Sequence, residues 1–131
     1  MSLMTIAKGS SKITETIFEN RMNHVELLNQ MGSSITLKNN TAYINGVKKL
    51  RGMTLVGLDL RSSAALIIAA LTSKSVSYVY GLEHLDRGYE NFEQKLSKLG
   101  IEIKRQITKC TISKSNYDKS NDKEASEIVA A

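Results

Sequence analysis

Arginine side chains lie near three predicted helix openings along this chain of 131 residues. Arg21 falls in the stretch FENRMNH, Arg61 in LDLRSS and Arg87 in HLDRGYE. A guanidinium stays charged at any working pH and offers a planar fork to paired oxygen atoms. A helix N-terminus adds backbone N–H donors and a favourable dipole for an anion. The three positions together predict a binding cleft for an anionic ligand.

Arg87 also has a purely structural interpretation, as a surface arginine paired with Asp86 or Glu90. Exposed ion pairs of this kind are common and contribute little to stability. Judged from the residues alone, the structural interpretation of Arg87 is favoured over an anion site.

The other charged groups have comparable structural alternatives. Asp59 stands directly before an apolar run and is a good N-cap residue, which would leave Arg61 as an exposed first-turn residue. Arg21 has Glu19 and Glu26 within reach as ion-pair partners. An N-cap can also fix the geometry of a site, so the two interpretations of Asp59 are compatible.

Alternating and helical patterns predict the elements that carry these residues. The predicted strands are 11–17, 33–37, 41–45, 53–57, 75–81, 101–106 and 109–113. The predicted helices are 22–32, 60–72 and 88–100, with a helical turn that Gly9 ends. Tyr89, Phe92, Leu96 and Leu99 are expected to face the core. The stretches 33–37 with 41–45, and 101–106 with 109–113, are predicted hairpins.

Two parts of the chain follow the same order of strand, arginine loop, helix, glycine and strand. The correspondence predicts an α/β fold made of repeated βαβαββ units, at about 11–57 and 58–113. The residues from 114 to 131 are polar and aperiodic, which predicts a flexible tail with a helical last turn.

The stretches TETIFENRMNHVELLNQMG, DLRSSAALIIAAL and HLDRGYENFEQKLSKLG closely resemble the enolpyruvyl transferases. The likeness covers about residues 4–105 and is stronger to the UDP-N-acetylglucosamine 1-carboxyvinyltransferases than to the 5-enolpyruvylshikimate-3-phosphate synthases. It implies an inside-out α/β barrel, in which helices lie inside and sheets outside. The chain matches the C-terminal portion of such an enzyme, which implies a partial domain.

The resemblance also implies a reaction and a set of residues. Enolpyruvyl would pass from phosphoenolpyruvate to UDP-N-acetylglucosamine in peptidoglycan biosynthesis, with no cofactor beyond the substrates. Asp59, Arg61 and Arg87 match supporting catalytic positions, and Ile17, Arg21 and Arg87 match substrate-binding positions. The proton donor, the base and the rest of the enzyme are expected outside this chain, so the chain alone is expected to be inactive.

Charge, cysteine and histidine content bear on the other functions that the chain could have. A net charge of +5 suggests a nucleic-acid-binding module, but the lysines are scattered and aromatic residues are only 5% of the chain. Cys110 is the single cysteine, which favours the cytoplasm and does not match the family's proton donor. His24 and His84 lack partners at metal-ligand spacing. A non-catalytic truncated domain stays an alternative, with self-association covering any exposed apolar face and no membrane partner expected.

Overall fold

The computed structural model describes residues 1–108 and 125–130. The helices are α1 (His24–Gln30), α2 (Leu60–Ala70), α3 (Leu82–Leu85) and α4 (Phe92–Ser97), after a 3-10 turn at Ser2–Thr5. The strands are β1 (Ser10–Thr14), β2 (Ser34–Lys38), β3 (Thr41–Asn45), β4 (Thr54–Val56), β5 (Ser77–Tyr80), β6 (Ile103–Thr108) and β7 (Ala125–Ala130).

The strands form two sheets with a shared topology. In the first sheet the order is β1-β3-β2, and in the second it is β4-β5-β7-β6. In each sheet the last strand in sequence lies between two antiparallel partners, β3 between β1 and β2, and β7 between β5 and β6. The second sheet adds β4, which pairs in parallel with β5. Elements β4 to β7 therefore make one βαβαββ unit, and β1 to β3 make the later part of another.

The end of the second unit differs from the sequence prediction. Residues 125–130 form a strand, so the expected flexible tail with a helical last turn is wrong for these residues. The predicted hairpin of 101–106 with 109–113 also differs from the structure, because the observed partner of β6 is β7. Residues 109–113 lie outside the described residues. The residue pattern of β7 does not predict a strand. Hydrogen bonds to β5 on one side and β6 on the other stabilise the extended backbone there.

The sheet positions also change the expected unit boundary. The strand at β4 was assigned to the first repeat, yet it hydrogen-bonds to β5 in the second sheet. Gly81 explains why β4 and the turn after β5 lie so close, since a Cβ at Gly81 would lie 2.3 Å from the Gly57 carbonyl oxygen. The predicted boundary at 113 likewise excludes β7, which completes the sheet.

Helix α2 belongs to the second unit and also packs against the first. It contacts the 3-10 turn and α1 of the first unit, and α3, β5 and β7 of the second. Its buried residues are mostly small, namely Ser62, Ser63, Ala64, Leu66, Ile67, Ala69 and Ala70. Small side chains let neighbouring backbones approach a helix closely. The hydroxyl of Ser2 donates to the Ala65 carbonyl oxygen at 2.7 Å and ties the 3-10 turn to α2.

The predicted helix at 88–100 is shorter in the structure. It spans Phe92–Ser97 because Asn91, at φ 49°, has a left-handed backbone that interrupts the helical path. Phe92 and Leu96 pack against the core as predicted. Tyr89 and Leu99 were predicted to face inward, but they are 37% and 76% exposed.

Glycines end two helical segments as the sequence indicated, and a third glycine does not. Gly32 and Gly100 follow α1 and α4 with φ of 94° and 84°, a conformation that glycine adopts without a steric penalty. The first turn was expected to end at Gly9. It ends at Ile6, and Gly9 instead turns the chain into β1 with φ 96°.

Shortening Leu66 should destabilise the fold, because this side chain is fully buried in α2. We expect Leu66→Ala to lower the free energy of unfolding by about 2–5 kcal/mol. Urea denaturation followed by far-ultraviolet circular dichroism measures the change. Ile68→Ala is the matched control, since Ile68 is on the same helix and 40% exposed. Equal losses for the two variants would contradict the burial of the Leu66 face of α2 in the core.

Candidate anion-binding cleft

The N-terminus of α2 is held by a reciprocal cap. Asp59 Oδ1 accepts hydrogen bonds from the backbone N–H groups of Arg61 and Ser62, each at 2.9 Å. In return the Ser62 hydroxyl oxygen accepts the Asp59 N–H at 3.0 Å. This is the capping arrangement of an N-cap residue and the residue three positions later. The predicted N-cap role of Asp59 is confirmed, and the cap fixes the backbone that carries Arg61.

The cap also sets the charge of Asp59. Burial acts to raise the pKa of this carboxyl group, but hydrogen bonds from Ser62 and Arg61 and the nearby His24 outweigh it and lower the pKa below its ordinary value. Asp59 is therefore a carboxylate at neutral pH. Its negative charge lies at the positive end of the α2 dipole, which stabilises both.

The loop before α1 is organised by Glu15, which the sequence analysis did not single out. Its Oε1 accepts the N–H groups of Ile17 at 2.8 Å and Phe18 at 3.3 Å. Its other oxygen lies 3.8 Å from Arg21 Nη1. The backbone hydrogen bond from Ile17 is the main cause that lowers the pKa of Glu15. Glu15 directly follows β1, whereas the predicted strand at 11–17 placed it inside the strand and so hid its role in the loop.

Arg21 rests on an aromatic ring as well as on a carboxylate. Its guanidinium carbon lies 3.9 Å from the centre of the Phe18 ring, a cation–π contact. The expected ion pair with Glu19 or Glu26 is replaced by the contact with Glu15. The side chain of Arg21 is 27% exposed, so it is partly open to solvent. Glu15 and Phe18 hold the side chain from two directions.

These two segments form the walls of one cleft. A cavity of about 630 Å³ lies between the loop before α1 and the start of α2. Its lining includes Ile17, Arg21, Asp59 and Arg61, four of the residues that the sequence identified. An adjoining cavity of about 240 Å³ shares Arg21 and Arg61. Two guanidinium groups, with the carboxylates of Glu19 and Asp59 beside them in the lining, give this cleft cationic groups that can bind an anion.

Arg87, the fifth residue, is not part of the lining of either cavity. It is exposed and lies two residues after α3 ends, so the prediction that it stands at a helix opening is wrong. The neighbouring Gly88 packs directly on Leu60, because a Cβ at Gly88 would lie 2.9 Å from Leu60 Cδ2. Leu60 lines the larger cavity, so the Arg87 loop borders the cleft.

His24 is a cleft residue that was considered only as a metal ligand. It lines the smaller cavity beside Arg61. Burial lowers its pKa, helped by the positive chain N-terminus and opposed by Asp59, so the imidazole is neutral at pH 7. Within residues 1–108 and 125–130, His, Cys, Asp and Glu side chains form no group that could hold a metal ion.

A family model described as EPSP synthase (3-phosphoshikimate 1-carboxyvinyltransferase) matches residues 1–96. The chain belongs to the EPSP synthase family. Among its relatives is the UDP-N-acetylglucosamine 1-carboxyvinyltransferase of Prochlorococcus marinus subsp. pastoris (strain CCMP1986 / NIES-2087 / MED4). The two are 87% identical over 133 residues, covering 100% of this chain and 29% of that protein. The protein of the same description from Prochlorococcus marinus strain MIT 9515 is 73% identical over 82% of this chain and 23% of its own length.

Two solved structures of similar proteins share the fold. The enolpyruvyl transferase NikO from Streptomyces tendae superposes with a TM-score of 0.65 at 29% identity, over 72% of this chain and 22% of its own. An EPSP synthase from Acinetobacter baumannii gives a TM-score of 0.65 at 17% identity, over 98% of this chain and 27% of its own. The chain thus spans under a third of the proteins that it matches, and the predicted fold class, a partial enolpyruvyl transferase domain, is confirmed.

Changing the N-cap should alter stability in a pH-dependent way. An asparagine at this position keeps an acceptor oxygen but loses the charge, so we expect Asp59→Asn to be less stable than wild type at pH 7. The folded pKa of Asp59 is lowered, so its stabilisation is present above the unfolded pKa of about 3.9 and is lost as pH falls through the folded value.

Thermal denaturation of both proteins at pH 3 to 7 measures this effect. The difference in melting temperature between wild type and Asp59→Asn should shrink as pH falls below about 4. Asp59→Ala should cost about 0.5–2 kcal/mol at pH 7, because it removes the acceptor as well as the charge. A difference between wild type and Asp59→Asn that is constant with pH would show that the carboxylate charge does not support the cap.

Proposed function

We propose that this chain supplies the arginine-lined wall of the substrate cleft in a UDP-N-acetylglucosamine 1-carboxyvinyltransferase. The observation that carries the proposal is the convergence of Arg21 and Arg61 on one cavity beside the capped start of α2. The high identity to proteins of that description supports the choice of reaction. The enzyme would transfer enolpyruvyl from phosphoenolpyruvate to UDP-N-acetylglucosamine, with release of phosphate, in peptidoglycan biosynthesis.

The charges in the cleft fit that chemistry. Phosphoenolpyruvate carries a phosphate and a carboxylate, and charge builds on the phosphate as it leaves. Arg61 and Arg87 would bind and stabilise these oxygens, since fixed positive groups aimed at developing charge lower a barrier. Arg21 would contact the anionic part of the UDP-sugar, with the Ile17 backbone beside it. Asp59 would orient the reacting groups while it caps α2.

A second reaction within the family is transfer to a phosphorylated shikimate, as the name of the matching family model indicates. The acceptor is again anionic, so the arginines alone do not separate the two reactions. The identity of 73–87% to proteins named for UDP-N-acetylglucosamine favours that acceptor. A nucleic-acid-binding role has less support, because the lysines are scattered along the chain and aromatic residues are only 5% of it.

The partner that we propose is the remaining part of the enzyme. Ile17, Phe18 and Leu58 are 76%, 53% and 62% exposed next to the cleft. A second wall packed there would cover these apolar side chains and supply the proton donor and the base. Self-association of the chain, which would cover the same side chains, remains a prediction. We also propose a cytoplasmic enzyme. None of the helices in residues 1–108 has the length and apolar character that a membrane crossing requires.

The proposal is tested with a chimera, in which this chain replaces the aligned segment of the Prochlorococcus MED4 relative. We expect phosphate release from phosphoenolpyruvate with UDP-N-acetylglucosamine, and none with shikimate 3-phosphate. Arg61→Ala should lower kcat/KM about 100-fold, the typical effect of removing one group that stabilises developing charge. The 131-residue chain alone should release no phosphate.

Arg51→Ala is the matched control, because Arg51 is an exposed arginine that lines neither cavity. It should leave kcat/KM of the chimera unchanged. Turnover with shikimate 3-phosphate instead would favour the second reaction. Equal effects of Arg61→Ala and Arg51→Ala would refute the assignment of the cleft.

A further inference from the structure

The loop that carries Arg87 is held by an ion pair from a distant strand. Arg105, on β6, donates from Nη2 to both carboxylate oxygens of Asp86, each at 2.8 Å. These partners are 19 residues apart in the chain. Hydrogen bonds between charged groups at this length are the strong kind. The pair therefore connects the second sheet to the segment between α3 and α4.

A second carboxylate completes the setting of Arg105. Glu93 Oε1 lies 3.8 Å from Arg105 Nη1, and the Glu93 side chain is 14% exposed. Arg105 Nε and Glu93 Oε2 are buried and have no hydrogen-bond partner among the described residues. Arg105 thus donates its short hydrogen bonds to Asp86, while its own Nε and Glu93 Oε2 have no hydrogen-bond partner in the part of the chain that the structure describes. The geometry indicates that fixing Asp86 is the main contact of this side chain.

The consequence falls on Arg87, the next residue in the chain. Asp86 and Glu90 were the carboxylates expected to pair with Arg87. In the structure Asp86 is paired with Arg105, and the Arg87 side chain makes no hydrogen bond or ion pair with any described residue. The backbone around it is fixed too, since Asp86 N–H donates to the Leu82 carbonyl oxygen at 2.9 Å and Tyr89 N–H to that of Leu85 at 3.0 Å.

We propose that Arg105 is a positioning residue that holds Asp86 away from Arg87 and so keeps the Arg87 guanidinium available for the anionic substrate. The inference rests on the proposed function for its role in catalysis. The physical step is electrostatic. A carboxylate adjacent to Arg87 competes with a substrate anion for the same guanidinium, and Arg105 removes that competitor without touching the substrate.

The first test needs no turnover and uses the 131-residue chain. Phenylglyoxal modifies free guanidinium groups, and mass spectrometry of the Arg87 peptide gives the rate at that residue. Arg105→Ala should slow modification of Arg87 about two- to fivefold, the range of one exposed ion pair, because Asp86 is released to pair with it. The double variant Arg105→Ala/Asp86→Asn should restore the wild-type rate. An unchanged Arg87 rate in Arg105→Ala would overturn the proposal.

The second test is a double-mutant cycle in the chimera described above. Arg105→Ala should raise KM for phosphoenolpyruvate about fivefold or more, with a smaller change in kcat. In an Arg87→Ala background the same substitution should have no further effect, because Arg105 acts through Arg87. Arg105→Lys should rescue part of the loss, since lysine keeps the charge but not the planar fork.

Lys104→Ala is the control on the same strand, because Lys104 is exposed and one residue from Arg105. It should match wild type in both assays. Additive effects of Arg105→Ala and Arg87→Ala on KM would show a general structural role and overturn the inference. An inactive chimera that still shows the change in Arg87 modification would refute the proposed function and leave the positioning of Arg87 supported.

Discussion

Burial of α2, the helix of the second unit that also packs on the first, is the constraint on which the rest of the structure depends. Its small residues let the 3-10 turn, α1, α3, β5 and β7 all approach one helix. A helix enclosed in this way has few alternative positions, because protein interiors are close-packed. The N-terminus of α2 is therefore fixed in space. That end carries Asp59 and Arg61, so the packing of α2 determines where one wall of the cleft stands.

The charged side chains around the cleft are held in place by different kinds of contact. Arg21 has a carboxylate at 3.8 Å and an aromatic ring at 3.9 Å, which orient it. Asp59 accepts hydrogen bonds from backbone N–H groups at the start of α2 and remains a carboxylate at neutral pH. An anion site needs cationic groups that are held in place without being neutralised. Contacts with backbone groups and rings achieve this better than close carboxylates do.

The repeat explains why similar loops recur in the two sheets. In both units a helix-bearing connection joins two strands that are separated by the last strand of the unit. The connections that carry Arg21 and Arg87 occupy equivalent places in this topology, between β1 and α1 and between β5 and α4. The units differ in detail, since the second connection contains the extra helix α3. That helix moves Arg87 away from a helix opening and onto a turn beside Leu60.

The local features of the sequence determined much of this protein. The Asp59 cap, the apolar run of α2, the hairpin of β2 and β3 and the glycines after α1 and α4 all follow from short-range backbone and side-chain preferences. Four residues of the cleft lining were also identified in the sequence, whereas Glu15 was not and His24 was considered only as a metal ligand. Such features depend on neighbours in the chain, so the order of residues contains the information.

Only the tertiary structure decided the features that depend on distant partners. Strand β7 exists because β5 and β6 both offer hydrogen bonds to it, although its own residues predict no strand. The partner of Asp86 is Arg105 on another strand, not the adjacent Arg87. Tyr89 and Leu99 are exposed because α4 is short and surrounded by turns. The energies of these contacts depend on which groups folding brings within a few ångströms, and spacing along the chain does not contain that information.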